Sequence, residues 1–339
     1  MYITITLLII VLLTLVIMHL RHPVFYFTDK DGLKGGRWSV AAGIIEGDTP
    51  ITPQTILDYD SLPSPENKEF VADPFFIEHN SRYYLFVEYF HNYKGVVAYY
   101  DSDDFKNWNF RGTVLEEKFH ISYPQVFKDD DGEIYMLPEA SKSKKVILYK
   151  AVSFPDKWER VSEILTGVKI VDPSLVKFGG HYYIFCIDDK RVQRVFVSND
   201  LHKGWKEHNS SPLGIGVKKR PGGRIFEKDG SFFLPVQSSR TGYGSALNLM
   251  KIKMLSPDKI VVDKKLKRFL KPFPAVKYFY YGTHHIDIQK KEGRQFYVID
   301  GRGKETKSIF VFDLRASIVK NALDVFDLLG VYKLPSVFY

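Results

Sequence analysis

The sequence is poor in the residues that build disulfide-linked or helical proteins. Its one cysteine, Cys186, lies in the apolar stretch YYIFCID and cannot form an intrachain disulfide. We interpret it as a small buried side chain, because nothing beside it would lower its pKa. Alanine-rich segments are scarce, whereas aromatic residues make up 15% of the chain. Aromatic side chains suit pleated strands, so the composition favours a β protein.

Charge is missing from the first part of the chain. The segment Ile3 to Leu20 has no charged residue and is just long enough to span a bilayer. No basic start or small-residue cleavage site accompanies it, which favours an uncleaved anchor over a cleaved leader. Four basic residues follow the span: Arg21, Lys30, Lys34 and Arg37. The positive-inside rule therefore predicts a single-pass protein whose large domain faces the cytoplasm, with the opposite orientation left open.

The net charge of +8 comes without a nucleic-acid motif. The densest basic run is DKKLKRFLK, Asp263 to Lys271, while acidic residues are spread along the chain. Nucleic-acid recognition needs basic residues together with a groove-entering or base-stacking motif, so we predict no such partner. Near a membrane anchor, the run is either a solvated loop or a contact to anionic headgroups.

One hairpin pattern occurs five times. Each copy has a short apolar strand, a polar turn and an aromatic strand that ends in a polar residue. The copies begin at Pro74, Pro124, Pro173, Gly222 and His285. Self-similarity at a period of about 50 residues indicates a propeller or a solenoid.

The segments after each hairpin also repeat. The first three copies continue with a third strand, a turn and a tryptophan that leads a fourth strand, at Trp108, Trp158 and Trp205. We expect these indoles to pack between repeats. ALNLMKIKMLSPDKIVV serves the fourth copy, and SIFVFDLRA, from Ser308, would continue the fifth. Four antiparallel strands in each of five units predict a five-bladed β-propeller.

The predicted organisation is therefore an all-β, five-bladed propeller preceded by one transmembrane helix. Residues 1–22 form the anchor, and residues 23–68 form a linker with outer or capping strands, including RWSVAAGII. Residues 69–316 form the propeller, and residues 317–339 form a C-terminal helix and a ring-closing tail.

Propeller geometry brings the polar strand ends together. Innermost strands start at one mouth of the central channel, and the antiparallel second strands return to that mouth. The first ring of positions is Asp73, Tyr123, Asp172, Arg220 and His284, and the second is Glu88, Glu139, Asp188, Gln237 and Asp300. Close carboxylates raise one another's pKa, so an acid and a base can coexist there near neutral pH.

Further polar residues are expected at the same mouth: His120, Arg240 and Tyr243. The pair His284–His285 could suggest a metal. Adjacent strand residues point to opposite faces, however, so both can hardly bind one ion, and we predict neither a metal site nor a cofactor.

In these motifs the chain resembles the propellers of glycoside hydrolase families 43 and 32. More specifically, it resembles the N-terminal domain of glucosamine inositolphosphorylceramide transferases. The matching motifs are FVADPFF, GTVLEEKFHISYPQVF, YMLPEA, VDPSL, RPGGRIF, GYGSALNL and YGTHHIDI. The hydrolase resemblance implies Asp73 as base or nucleophile and Asp172 as an orienting carboxylate. No Glu opens blade three or four, where those families place their acid, so Glu139 on a returning strand is the nearest substitute. The transferase resemblance implies a role in glycan or glycolipid assembly, with glycan-synthesis enzymes as candidate partners.

Two functions stay open at this stage. The first is an enzyme of glycosyl-bond chemistry with Asp73, Glu139 as acid and Asp172 as pKa tuner, where the carboxyl separation would predict retention or inversion. The second is a non-catalytic sugar-binding module that uses the same pocket. A propeller that binds only protein partners would instead have an unremarkable central mouth. The polar rings favour a carbohydrate site.

Overall fold

A computed structural model of the chain describes residues 2–29, 38–52, 54–55, 62–63, 70–273, 276, 279–303 and 308–333. It begins with an apolar helix, α1 (Tyr2–Arg21), that is long and apolar enough to cross a membrane. Two strands follow, β1 (Phe25–Asp29) and β2 (Trp38–Glu46). The remainder confirms the predicted all-β, five-bladed propeller.

Four blades follow the chain from their innermost strand outward. Blade one contains β3 (Phe70–His79), β4 (Arg82–His91), β5 (Lys94–Ser102) and β6 (Asn109–Leu115). Blade two contains β7 (Ser122–Lys128), β8 (Ile134–Glu139), β9 (Lys145–Ser153) and β10 (Lys157–Thr166), with a 3-10 turn at Ser141–Ser143. Blade three contains β11 (Ile170–Phe178), β12 (His181–Asp188), β13 (Val192–Ser198), β14 (Lys206–Glu207) and β15 (Gly214–Ile215). Blade four contains β16 (Phe226–Lys228), β17 (Ser231–Ser238), β18 (Ala246–Leu255), β19 (Ile260–Val262) and β20 (Lys267–Leu270).

The fifth blade is closed by a strand from the N-terminal part of the chain. Its inner strands are β21 (Ile286–Lys291) and β22 (Arg294–Arg302), and its third strand is β2. The expectation that SIFVFDLRA continues this blade is wrong. Because β2 occupies the outer edge of β22, β23 (Ser308–Phe312) pairs with β1 in a separate two-stranded sheet. Residues 334–339 of the predicted ring-closing tail lie outside the described residues.

Five apolar clusters fill the spaces between neighbouring blades. The repeated tryptophans Trp108, Trp158 and Trp205 pack in three of these clusters, as predicted. Each indole nitrogen donates to a backbone carbonyl three or four residues earlier, so one device recurs in successive blades.

The predicted C-terminal helix is α2 (Leu314–Leu329). Asp313 caps its first turn by accepting a hydrogen bond from the Ala316 amide. Leu323 packs α2 against blade three at Ile215 and Val217.

Candidate functional site

Three innermost strands share a backbone distortion at the same mouth of the channel. Asp73, Tyr123 and Asp172 have φ angles of 50°, 51° and 48°, which are unusual for residues other than glycine. At each, two residues lie opposite one residue of the neighbouring strand, which is a β-bulge. Left-handed residues of this kind cost of order 1–3 kcal/mol each and cluster at functional sites. The repeated distortion therefore points to this mouth.

The first part of the site is a buried chain of three side chains. Nδ1 of His284 lies 2.5 Å from Oδ2 of Asp300, and its Nε2 lies 3.5 Å from Oδ1 of Asp73. The other oxygen of Asp300 accepts hydrogen bonds from the amides of His284 and His285. Trp38 of β2 stacks on the His284 ring at a centroid distance of 3.9 Å. The orientation of His284 is thus fixed from two sides.

The second part joins Glu88 to His120. Nδ1 of His120 accepts a hydrogen bond from the Gly95 amide at 2.9 Å, so the ring proton of the neutral form lies on Nε2. That nitrogen lies 3.3 Å from Oε1 of Glu88. The pair can approach because Gly95 has no side chain: a Cβ there would lie 2.7 Å from the His120 ring.

The third part is built around Asp172. Arg220 contacts both of its oxygens, at 2.5 and 3.0 Å, and the Gln237 amide donates to it at 2.7 Å. Glu139 accepts a hydrogen bond from Ser141 and a longer one from the Asp172 amide. The guanidinium of Arg220 also lies over the ring of Tyr243.

These parts form one recess with buried carboxyls and a partly exposed rim. The side chains of His120 and Arg220 are each 30% exposed, whereas Asp172 and Asp300 are fully buried. Five carboxyl groups share the recess: Asp73, Glu88, Glu139, Asp172 and Asp300.

Burial controls the protonation of these groups. It raises the pKa of Asp73 to about 7, although the neighbouring His284 opposes the rise. It raises the pKa of Asp172 to about 7 as well, against the opposing charge of Arg220. Burial, together with Asp73 and Glu139, also raises the pKa of Glu88 well above its ordinary value. The recess therefore contains carboxylic acids and carboxylates side by side near neutral pH.

The two histidines differ in the same environment. Burial lowers the pKa of His120, so its ring is a neutral donor toward Glu88 at neutral pH. Burial also lowers the pKa of His284, but the charges of Asp300 and Asp73 outweigh it and the net shift is upward. His284 can therefore carry a proton between two carboxyl groups.

Asp73, His284 and Asp300 could together hold a cation. Each offers one ligand atom, and these atoms lie within 4.8 Å of one another. Two carboxylates and one imidazole are a donor set that divalent metals accept. The sequence argument had considered only the two adjacent histidines. Their rings do diverge, since His285 packs edge-on against Phe75 and Tyr123 below the recess.

Tyr123 forms part of the floor of the recess. Its hydroxyl lies 2.7 Å from Oγ of Ser174 and accepts a hydrogen bond from the Gly223 amide across the channel. Below it, Arg224 and Asp287 form a buried ion pair at 2.8 Å. The channel is therefore filled beneath the carboxyl groups, and the structure places Tyr123 in the wall between these two layers.

Two predicted site residues lie elsewhere. In the blade-three register, Val171 pairs with Ile187, just as Ala72 pairs with Glu88. The counterpart of Glu88 is therefore Ile187, and Asp188, one residue further, instead accepts hydrogen bonds from Arg194 and from amides of its own turn. Because its side chain is held by that turn, Asp188 does not join the carboxyl cluster.

Arg240 is the second residue outside the recess. Its guanidinium donates to the backbone carbonyls of Leu20 and Arg21 at the end of α1. Adjacent loop residues diverge here, because Tyr243 faces the recess while Arg240 faces the helix end.

Sequence reasoning missed the contributions of Trp38, Gly244 and Arg302. Arg302 donates to the Tyr243 carbonyl and lies near the Trp38 ring. Gly244 has a φ of 63°, and a Cβ there would lie 2.4 Å from the Trp38 indole. The GYGS motif was a visible signal, but its contact with Trp38 joins residues about 200 positions apart and cannot be read from local patterns.

Residues 35–302 match the sequence family described as glucosamine inositolphosphorylceramide transferase 1, N-terminal. A relative named glucosamine inositolphosphorylceramide transferase 1, from Oryza sativa subsp. japonica, is 33% identical over 249 residues. This alignment covers 68% of the chain but 33% of the relative, so the chain spans about a third of the length of the curated protein it matches.

Solved structures show the same fold. An alpha-L-arabinofuranosidase from Podospora anserina superimposes with a TM-score of 0.52 at 10% identity, covering 79% of this chain and 98% of that one. A GH32 beta-fructofuranosidase from Bombyx mori gives a TM-score of 0.50 at 15% identity, covering 70% of this chain and 56% of that one. The expected resemblance to glycoside hydrolase propellers is thus confirmed for the fold.

Proposed function

Since the chain belongs to the family of the glucosamine inositolphosphorylceramide transferase 1 N-terminal domain, we propose that its central recess acts on a sugar. The sugar would belong to a glycan or glycolipid in membrane-linked polysaccharide metabolism. The carbohydrate-related role fits both the family and the glycoside hydrolase-like fold.

The observation that carries this proposal is the set of five carboxyl groups in one recess beside aromatic side chains. Sugar hydroxyls donate hydrogen bonds, and carboxylates are strong acceptors for them. Oδ1 of Asp73 is buried and has no hydrogen-bond partner among the described residues, so a ligand hydroxyl would satisfy it. Tyr243 is half-buried at the rim and offers a ring face to the apolar side of a sugar.

Glycosyl-bond chemistry needs one carboxylate and one carboxylic acid. We assign Asp73 as the base or nucleophile, because its pKa of about 7 leaves a carboxylate near neutral pH. Glu139 is the acid expected from sequence, but Glu88 also fits that role because burial raises its pKa. Asp172 is tied to Arg220 and Gln237 and would position them and tune the charge. In the reaction, the acid protonates the leaving glycosidic oxygen while Asp73 attacks the anomeric carbon or takes the proton of an attacking hydroxyl.

A non-catalytic sugar-binding module is the second candidate. The absence of a Glu at the opening of blades three and four favours it, since glycoside hydrolase propellers use such a residue as acid. In this case the same recess binds sugar and releases no product. Enzymes of glycan synthesis would then be the partners that use the bound sugar.

The experiment is a panel of glycans and nucleotide sugars incubated with the full-length protein in detergent, with binding and product release both measured. Asp73→Asn, Glu88→Gln and Glu139→Gln are compared with Asp188→Asn, a matched carboxylate outside the recess. We expect Asp73→Asn and one of the glutamine variants to abolish turnover while Asp188→Asn retains it. Binding without product in the wild type supports the module. If no sugar binds, or if the three recess variants bind and turn over as the wild type does, the site assignment is wrong.

We also propose that α1 anchors the propeller to a membrane as a single-pass helix, with the cytoplasmic orientation that the flanking charges predict. In the described residues α1 buries none of its side chains against the propeller, which leaves it free to contact lipid. The protein should stay in the membrane pellet after carbonate extraction. Its release into the supernatant would contradict the anchor.

A further inference from the structure

The end of α1 is fastened to the propeller. His22, which is fully buried, contacts Asp324 of α2 at 2.9 Å, and Asn321 donates to the Met18 carbonyl. Arg240 donates to the last carbonyls of α1 from the blade-four side. The face of the propeller beside α1 is therefore held next to the point where the helix leaves the bilayer.

A basic cleft opens on that face. It has a volume of about 880 Å³ and is lined by the end of α1, by α2 and by blade four. Seven basic and two acidic side chains line it, which gives a formal net charge of +5. The cleft contains part of the basic run around Lys271 and also Arg240, the two features that the central recess leaves without a role.

The two carboxylates in the cleft are already neutralised. Asp324 pairs with Lys218, and Asp327 pairs with Lys219 at 2.9 Å. Four other basic side chains line the cleft: Arg21, Lys264, Arg268 and Lys271. Within the described ranges none of these four forms an ion pair with an acidic residue. Cations gathered without a carboxylate partner repel one another unless an anion binds among them.

The surroundings of the α1 end are apolar. The small sheet of β1 and β23 exposes four phenylalanines: Phe25, Phe27, Phe310 and Phe312. Phe25 lies against the ring of His19, in the last turn of α1, at 4.3 Å. Exposed aromatic rings next to a membrane helix are typical of side chains that lie at the headgroup level of a bilayer.

From these observations we propose that the cleft binds the phosphate-bearing headgroup of an anionic lipid in the bilayer that α1 crosses. Basic side chains next to a membrane helix are attracted to anionic headgroups, and a phosphate supplies oxygen acceptors for lysine and arginine donors. The proposal rests on the anchoring role given above to α1. It concerns a second site, separate from the carboxyl recess.

The test is a lipid titration of the detergent-solubilised full-length protein, with adducts counted by native mass spectrometry. The probes are dioctanoyl phosphatidylglycerol, dioctanoyl phosphatidylcholine and inorganic phosphate. The cleft variant is the triple substitution Lys264→Gln, Arg268→Gln and Lys271→Gln. The control replaces three exposed lysines of blades one and two and so removes the same charge: Lys106→Gln, Lys128→Gln and Lys157→Gln.

We expect the wild type and the control to bind phosphatidylglycerol, and the cleft variant to bind it about a hundredfold more weakly, from about fivefold for each basic residue. Phosphatidylcholine should bind much less. Unchanged phosphatidylglycerol binding by the cleft variant, or equal binding of phosphatidylcholine, would overturn the proposal. Inorganic phosphate that binds as tightly as phosphatidylglycerol would overturn the lipid assignment in favour of a free-phosphate site.

Two further measurements separate this proposal from the others. If the triple variant does not fold, the single change Arg268→Gln gives the same comparison with an expected loss of about fivefold. Sugar binding by the cleft variant should be unchanged, and Asp73→Asn should still bind phosphatidylglycerol. Loss of lipid binding alone or of sugar binding alone then identifies which proposal fails, and the carbonate extraction tests the anchor independently.

Discussion

Replacing Asp73 with asparagine should stabilise the folded protein at alkaline pH and leave its stability at acidic pH nearly unchanged. The carboxyl group of Asp73 has a pKa of about 7 when folded and an ordinary value of 3.8. The folded state therefore binds this proton more tightly than the unfolded state does. The stability that the proton supplies is complete below about pH 4 and is lost as the pH rises toward 7.

The magnitude follows from the size of the shift. A rise from 3.8 to about 7 is about 3 pKa units, which corresponds to about 4 kcal/mol of unfolding free energy at about 1.4 kcal/mol per unit. Asparagine cannot ionise, so Asp73→Asn avoids this cost above pH 7. We expect the difference in unfolding free energy between variant and wild type to grow by about 2–4 kcal/mol from pH 4.5 to pH 8.5.

Guanidinium unfolding of the full-length protein, followed by tryptophan fluorescence at both pH values, measures this difference. The control is Asp258→Asn, which removes an exposed carboxylate and should show no pH-dependent gain. If Asp73→Asn lowers the stability equally at both pH values, the carboxyl group is not the buried, proton-binding group that its surroundings imply.

The remaining predictions compare matched substitutions. Gly244→Ala should cost about 2–4 kcal/mol, because it combines a positive φ with a Cβ 2.4 Å from a buried indole, whereas Gly230→Ala, with φ of 65° and open space, should cost about 1 kcal/mol. Equal shifts in thermal unfolding would show that the indole contact is unimportant. Arg220→Lys keeps the charge but loses the two-point contact to Asp172, so sugar affinity measured by calorimetry should fall about tenfold. Arg194→Lys, outside the recess, should leave it unchanged, and a loss of equal size there would contradict the assignment.

The repeat was readable from the sequence because each blade is a local hairpin with its own alternation and turn. The fifth blade was partly misassigned for the opposite reason. Its third strand, β2, comes from about 250 residues earlier in the chain, and no local pattern identifies the partner of a strand edge. The segment β23 has the strand composition of a blade, but its pairing depends on which edge is still free.

The same distinction applies within the site. Asp73, Glu88 and His284 follow from the repeat, because a bulge at each strand start delivers one residue per blade to the same mouth. Asp188 does not join them, since a shift of one residue in strand register reverses the direction of a side chain. Spacing along the chain did not specify that register.

The amino-acid sequence by itself determined the apolar helix, the fivefold repeat and the kinds of side chain that gather on the axis, because these depend on periodicity and local turns. Only the tertiary structure decided which carboxyl groups are buried together, how the ring closes, and that the basic run and Arg240 meet at the end of α1. Burial and proximity between distant segments depend on how the blades pack around one axis, and no single blade contains that information.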